Sequence, residues 1–481
     1  MKITLNGREE SVESGPLTVA ALLKLKGVPR PEAVSVELNG TILKHAEHAT
    51  REVRDGDHVE FLYFMGGGAE PAFETRAVHA GFDQDRETGA TSLPVHESAA
   101  FAQASAGAME EVFAGRRYGH VYSRISNPTV EAFELRMNAL EGGAGAVATA
   151  SGMAAIAAAA LCLAGPGDRI LAARSLFGGT VLLFNDLRRG GVVVDYVDAT
   201  DPAAVAAALD ERTRMIFVET IGNPRLDVPD IGAIGKAAAA RGVPLVVDGT
   251  LTTPWLFRAQ SHGVSVVVHS ATKYITGNGT AIGGVLVDLG SFDWTAGRFT
   301  LLAEAALRAG PAAFLVSARK RLVQNAGGCL SPFNAFLHNL GLETLALRMD
   351  RHCANALALA RHLAGHPGVA SVNYPGLDGN PFRAIAERQF GGRYGGMLTL
   401  RLGSRERAFA FIDRLKLAKC MTNLGDAKTL VLHPASTIFR DCSPEETAAA
   451  GVTEDLVRVS VGIEGIADLI GDFNQALAGA P

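Results

Sequence analysis

From Ala144 onward the chain repeats one pattern, a short apolar run of strand length followed by an Ala-rich helical stretch. The runs are AVATA (Ala146–Ala150), RILAA (Arg169–Ala173), VVVDYV (Val192–Val197), MIFVET (Met215–Thr220), PLVVD (Pro244–Asp248) and VSVVVH (Val264–His269). Strands this apolar must be covered on both faces, and helical crossovers between them return the chain parallel. The spacing therefore predicts an α/β domain built on a mostly parallel sheet. Ligands in such sheets sit at the carboxyl ends of the strands, so the residues just after the runs are the ones to read.

Three of those strand ends carry chemistry. Ser270-Ala271-Thr272-Lys273 comes directly after the strand Val264–Val268. A lysine is more often a surface residue, but this one leaves a buried strand behind two hydroxyls and ahead of Gly277 and Gly279, as a Schiff-base lysine beside phosphate-binding hydroxyls would. Asp248 ends the apolar run Val243–Val247, where an unpartnered carboxylate would be costly and a protonated ring nitrogen would supply the partner. At Ser151-Gly152-Met153 a strand gives way to a helix whose first N–H groups can hold a phosphate. A lysine for an aldehyde, an acid for a ring nitrogen and an anion site together describe pyridoxal 5'-phosphate (PLP).

Composition removes other classes. At 481 residues the chain exceeds one ordinary domain, and two or three are expected. Lys+Arg total 45 against Asp+Glu 50, a net charge of -5 without a long basic run, so nucleic acid has no electrostatic support as a partner. Cys162, Cys329, Cys353, Cys420 and Cys442 form no CxxC pair, which argues against a disulfide framework and against a structural zinc site, and fits a reducing cytoplasm; no metal is expected. The opening MKITLNGREE lacks the apolar core of a signal peptide. Ala144–Gly165 has the length of a membrane span but is mostly Ala and Gly; it reads as a buried strand, turn and helix, and no membrane partner is expected.

Over Pro71–Ala480 the sequence resembles the Cys/Met-metabolism family of fold-type I PLP enzymes, most of all the O-acetylhomoserine sulfhydrylases. The stretches that carry the likeness are YSRISNPT (Tyr122–Thr129), SGM (Ser151–Met153), ETIGNPRLDVPDI (Glu219–Ile231), VVDGTLTTP (Val246–Pro254), HSATKYI (His269–Ile275), LSPFNAFL (Leu330–Leu337), NLGDAKTLVLHPAST (Asn423–Thr437) and VRVSVGIE (Val457–Glu464). The resemblance implies that Lys273 carries the cofactor and then moves protons. Asp248 would hold the ring nitrogen, and Asn223 the ring 3'-oxygen. Gly152, Met153, Ser270 and Thr272 would hold the phosphate, with Thr250 beside them and Phe177 stacked on the ring. Arg458 would clamp the substrate carboxylate bidentately, Ser436 would line the same pocket, and His433 is as readily structural. Tyr122 and Arg124 would reach the phosphate of a neighbouring subunit, implying an obligate dimer paired into a homotetramer. Two positions depart from the family pattern. Phe177 stands where many relatives have tyrosine, which removes a phenolic proton donor, and Gly249 follows Asp248 where asparagine is common, which is expected to loosen the contacts behind the acid.

The first 68 residues have another character. Met1, Ile3 and Leu5 alternate with polar residues before Asn6-Gly7, a hairpin signal. Thr18 can cap a helix through VAALLKLK. Asn39-Gly40 and Asp55-Gly56-Asp57 mark later turns, and a strand through Val59, Phe61 and Tyr63 leads into Phe64-Met65-Gly66-Gly67-Gly68. This segment resembles the ubiquitin-like (β-grasp) sulfur carriers of the thiamin and molybdopterin type. Their narrow glycine tail enters an adenylating enzyme, and its terminal carboxylate becomes a thiocarboxylate. Here Gly68 is bonded to Ala69, so a working tail would need a processing protease as well as the adenylating enzyme.

The expected architecture is thus a β-grasp domain at 1–68, a large PLP-binding domain at 69–330 and a smaller C-terminal α+β domain at 331–481. The expected reaction is γ-replacement on O-acetyl-L-homoserine by a sulfur nucleophile, either sulfide or a carrier thiocarboxylate, giving L-homocysteine and acetate. The alternatives are cystathionine γ-synthase or methionine γ-lyase activity, or a sulfur-carrier precursor in a specialised pathway.

Overall fold

The computed structural model describes residues 1–481 except 6, 7, 13–16, 27, 29–34, 44–46, 63–70, 86, 87, 297 and 479–481. The chain divides into two compact units, Met1–Ala72 with Ser98–Ser126, and Phe73–Glu97 with Asn127–Pro481.

In the first unit the strands are β1 (Lys2–Leu5), β2 (Arg8–Ser11), β3 (Leu17–Thr18), β4 (Ser35–Leu38), β5 (Thr41–Ile42), β6 (Glu52–Val53) and β7 (His58–Leu62). Five of them form a sheet in the order β2-β1-β7-β4-β5, and β3 pairs with β6. β1 and β7 run parallel, whereas β1 with β2 and β7 with β4 are antiparallel. The alternation read from the sequence appears as burial: Ile3, Leu5, Val36, Leu38, Val59 and Phe61 point into one core, closed by Val19 and Leu22 of the helix Val19–Leu25. Thr18 caps that helix, its hydroxyl accepting from the N–H of Ala21 at 3.2 Å. Asn39 and Gly40 have φ of 54° and 80°, the left-handed pair that a tight two-residue hairpin turn requires. This is the expected β-grasp. The Asn6-Gly7 turn and the tail Gly66–Gly68 lie outside the described residues.

The second unit holds the large sheet, made of β8 (Gly145–Thr149), β9 (Arg169–Ala173), β10 (Val193–Val197), β11 (Thr213–Glu219), β12 (Leu245–Asp248), β13 (Val266–His269) and β14 (Gly284–Asp288). Their order is β10-β9-β11-β12-β13-β14-β8, and only β14 runs antiparallel to its neighbours. All six apolar runs are strands; β9, β11, β12 and β13 are buried on both faces, whereas the edge strand β10 leaves Asp195 exposed. The register sets Glu219 opposite Asp248 and Asp248 opposite Val268, so acidic ends and the Ser270–Lys273 turn share one sheet edge.

A second sheet comes after it, made of β15 (Ser371–Asn373), β16 (Met397–Arg401), β17 (Lys419–Cys420), β18 (Leu430–Leu432) and β19 (Leu456–Ser460), in the order β15-β16-β19-β18-β17. The helices Leu345–Ala364 and Arg405–Arg414 pack against it. Ala144–Gly165 is the buried strand and helix expected. Thr300–Asn325 is long and apolar enough to cross a membrane by length and composition. It is tied to the second unit instead, by Phe314 stacked at 4.7 Å on Trp294 and by Arg319 paired at 2.7 Å with Glu134.

Candidate active site

At the carboxyl edge of the large sheet lies a cavity of about 290 Å³. Lys273, Asp248, Asn223, Phe177, Gly152, Met153, Thr250, Ser270, Thr272 and Arg458 all line it. Residues up to 306 positions apart in sequence are thus brought together by strand ends (458 - 152 = 306).

Lys273 is half-buried, and its Nζ donates to Asn423 Oδ1 at 2.6 Å. Burial, and then the charge of Arg458, push its pKa down to about 8. A useful fraction of the amine is therefore neutral near pH 7, as a nucleophile and proton acceptor must be.

Asp248 has its carboxyl pushed above the ordinary range by burial. Its Oδ1 accepts from the N–H of Thr250 at 2.8 Å, and the Thr250 hydroxyl in turn accepts from the N–H of Ser270 at 2.8 Å. Thr250 thereby braces the acid against the turn that presents Lys273.

Arg458 lies in the middle of β19, only 2% exposed. It donates to Asn223 Oδ1 at 3.2 Å and to the Asn423 carbonyl at 3.1 Å. Burial lowers its pKa to about 10, which leaves it charged at neutral pH. An unpaired cation in so dry a place is costly, and a substrate carboxylate would relieve it.

The helix Gly152–Leu163 begins at the same edge. Ser151 is its cap, its hydroxyl accepting from Ala154 N–H at 3.2 Å. The N–H groups of Gly152 and Met153 have no acceptor among the described residues, which leaves a ready anion cradle. A Cβ on Gly152 would lie 2.6 Å from Ser270 Cβ and 2.9 Å from its Cα. Gly152→Ala must therefore push the helix start away from Ser270. Overpacking of this kind costs about 1–3 kcal/mol, so PLP should bind roughly 5- to 150-fold more weakly; a fluorescence titration of the apoenzyme measures this.

Several side chains have assignments that the sequence did not show. The Thr272 hydroxyl exchanges hydrogen bonds with Gly283, donating to its carbonyl at 3.2 Å and accepting from its N–H at 3.1 Å. Ser436 is not among the residues lining the cavity; its hydroxyl pairs with His433 Nδ1 at 2.9 Å. Tyr122 and Arg124 belong to the first unit, the guanidinium 5.3 Å over the tyrosine ring. Behind the acid, Gly249 does not loosen the packing: a Cβ there would meet His269 Cε1 at 2.6 Å, because the imidazole fills that space. His269 Nε2 is held at 2.5 Å from Glu141, both side chains 1% exposed.

Two residues of the site escaped the sequence reading. Glu219 ends the apolar strand β11 just as Asp248 ends β12, and that same signal pointed to it. Burial and then the charge of Asp248 push its carboxyl well above the usual range, while it accepts from the N–H of Phe177 at 2.7 Å and so fixes the stacking residue. Asn423 lies in a loop without periodicity, and nothing but its membership of a matched stretch marked it.

The donor set fits PLP: a lysine of depressed pKa, a buried acid, an unfilled N–H cradle and a slot beside Phe177 converge on one cavity. Comparison with known proteins agrees. Residues 74–478 match the family described as Cys/Met metabolism PLP-dependent enzyme, and residues 2–68 match the ThiS family. The homocysteine synthase of Schizosaccharomyces pombe is 42% identical over 84% of this chain and 98% of its own length. The O-acetyl-L-homoserine sulfhydrylase 1 of Thermus thermophilus is 42% identical over 84% of this chain and its full length. A Campylobacter jejuni crystal structure containing N'-pyridoxyl-lysine-5'-monophosphate superposes with a TM-score of 0.82 at 32% identity, covering 85% of this chain and 100% of that one.

Proposed function

The chain belongs to the Cys/Met metabolism PLP-dependent enzyme family, and from that membership we propose that it replaces the γ-substituent of O-acetyl-L-homoserine with sulfur, releasing L-homocysteine and acetate. The observation that carries this is the convergence of Lys273, Asp248 and Arg458 on one cavity. PLP, when bound, supplies the electron sink that makes the α- and β-protons of the amino acid removable. Arg458 binds the α-carboxylate and fixes which carbons face Lys273. The Lys273 Nζ, kept partly uncharged by burial and by Arg458, accepts those protons and returns one. Asp248 holds the proton of the ring nitrogen, and Thr250 keeps its carboxyl aimed. Phe177 closes the slot with a surface that has no proton to give. Acetate leaves as a stable anion without an acid, whereas a thiolate leaving group profits from one, so the phenylalanine favours the sulfhydrylase over the γ-lyase reading. Products decide: L-homocysteine from O-acetylhomoserine and sulfide supports it, and 2-oxobutanoate as the main product overturns it.

The finer parts of the reading rest on likeness. Tyr122 and Arg124 complete the phosphate site of a second subunit in a homotetramer, a dimer of dimers, in the cytoplasm. The ThiS-family segment delivers sulfur as a thiocarboxylate after an adenylating enzyme and a protease have acted at Gly68. Intact-mass spectrometry of protein from its own host tests the last point. The expected result is cleavage after Gly68, with the small fragment heavier by an oxygen-to-sulfur exchange; a single species near 50.3 kDa leaves the domain a docking role.

A further inference from the structure

On the second sheet, β15, β16 and β19 pair in two rows, Ser371 with Arg401 with Leu456, and Asn373 with Thr399 with Arg458. Residues directly opposite, and residues two apart on one strand, share a face. These six side chains therefore share one face of the sheet, and five of them are polar. The other face carries Val372, Leu398, Leu400, Val457 and Val459, all part of the main core or packed against it. Thr399 and Arg458 on this face are buried, whereas Ser371 and Arg401 at its far end are exposed and wall a surface cleft.

One end of this face is Arg458, which looks into the active site. The other end opens into a separate cavity of about 140 Å³, lined by Pro224, Arg225, Ser371, Asn373, Thr399 and Arg401. That is well above the roughly 10–15 Å³ one water needs. Its donors are under-used. Arg401 gives only its Nε, to Asp455, at 3.2 Å to each oxygen. Arg225 is exposed, reaches the Ala449 carbonyl at 3.4 Å through Nη1, and also lines a second, smaller cavity together with Asp198 and Asp227. Thr399 is 3% exposed, and its hydroxyl has no partner among the described residues. Asn373 Nδ2 donates to the Arg225 carbonyl at 2.7 Å, which ties the sheet to the loop that carries Asn223.

We propose that this cavity binds a small oxyanion, a phosphate or a carboxylate, and regulates substrate affinity through the two residues behind it. Two guanidiniums and two hydroxyls give the cavity a donor-rich lining with no carboxylate in it: Asp455 nearby is taken up by Arg401, and Asp198 and Asp227 lie in the second cavity that Arg225 also lines. An anion drawing Arg225 inward fixes the Asn223–Arg225 loop, and Asn223 is the side chain that accepts from Arg458. By linkage, the anion and the substrate carboxylate then change each other's affinity by the same factor.

The test titrates the PLP-loaded enzyme with inorganic phosphate, and separately with acetate, at constant ionic strength, and tracks the unfolding midpoint and the KM for the amino-acid substrate. The expected result is a saturable rise in the midpoint with a matching change in KM. In the Arg225→Gln, Arg401→Gln double variant both responses should weaken by roughly tenfold or more, while activity without added anion and the visible spectrum stay as in the parent. Saturation by acetate identifies a carboxylate ligand, and saturation by phosphate alone a tetrahedral one. A response that fails to saturate, or that persists undiminished in the double variant, places the anion elsewhere and overturns the proposal. Should the double variant lose its cofactor spectrum, Thr399→Val decides: it removes one donor without touching charge, and unchanged phosphate affinity overturns the proposal.

Discussion

Replacing Lys273 by alanine should abolish turnover, with a loss of about 10³-fold or more, since a positioned acid–base group alone contributes roughly 10²–10⁴ and this one also anchors the cofactor aldehyde. The visible band of the bound cofactor should vanish in the same variant, while the protein keeps its unfolding transition. Absorbance and a coupled assay for acetate release check both. A Lys273→Ala protein with parental activity would sink the assignment of the whole cavity. The direction of the pKa adds a pH signature. Burial and Arg458 bring the amine from its ordinary value down to about 8, so the reactive neutral form gains as pH rises and is half-populated near 8. The rate at which the apoenzyme captures PLP should climb up to about pH 8 and flatten above it. A climb continuing to pH 10 would mean an unperturbed lysine.

Arg458→Lys should raise the KM for O-acetylhomoserine by about 10- to 100-fold, with a smaller fall in kcat. The ammonium keeps the charge and loses the two-pronged geometry that matches a carboxylate, and hydrogen bonds to charged groups are worth about 1.5–3 kcal/mol each. The cofactor band should be unchanged, because Arg458 reaches it only through Asn223 and Asn423. Steady-state kinetics beside a spectrum separates the two effects. A variant that lost the band as well would make Arg458 a scaffold of the cofactor site rather than a substrate clamp.

Much of this was legible in the sequence because buried parallel strands leave a strong record. Val264–Val268 and Val243–Val247 had to be strands, and a polar residue at the end of a buried strand must either be satisfied or be functional; that logic found Lys273 and Asp248. The same logic applied to Glu219, which was passed over only because its partner in a reaction is less obvious than a lysine's. Asn423 was out of reach, since a loop residue acquires its meaning from what the fold brings beside it, here Lys273 and Arg458. Gly249 shows the limit from the other side. Its departure from the family pattern suggested slack behind the acid, whereas the imidazole of His269, 20 residues on (269 - 249 = 20), occupies that space. Side-chain substitution of this kind is a three-dimensional fact and leaves no periodicity to read.

The small N-terminal sheet closes a core of its own, from Ile3 to Phe61, that shares no residue with the large one. In this sequence 409 residues follow Ala72 (481 - 72 = 409), which a ribosome adding roughly 5–20 residues per second takes about 20–80 s to make. Once the residues through Phe61 have emerged, the nascent chain holds the whole of that small core, while the strands that build the cofactor cavity are still being made. The order of the two segments along the chain is thus also an order of maturation: whatever recognises the β-grasp surface can meet it before the cofactor cavity exists.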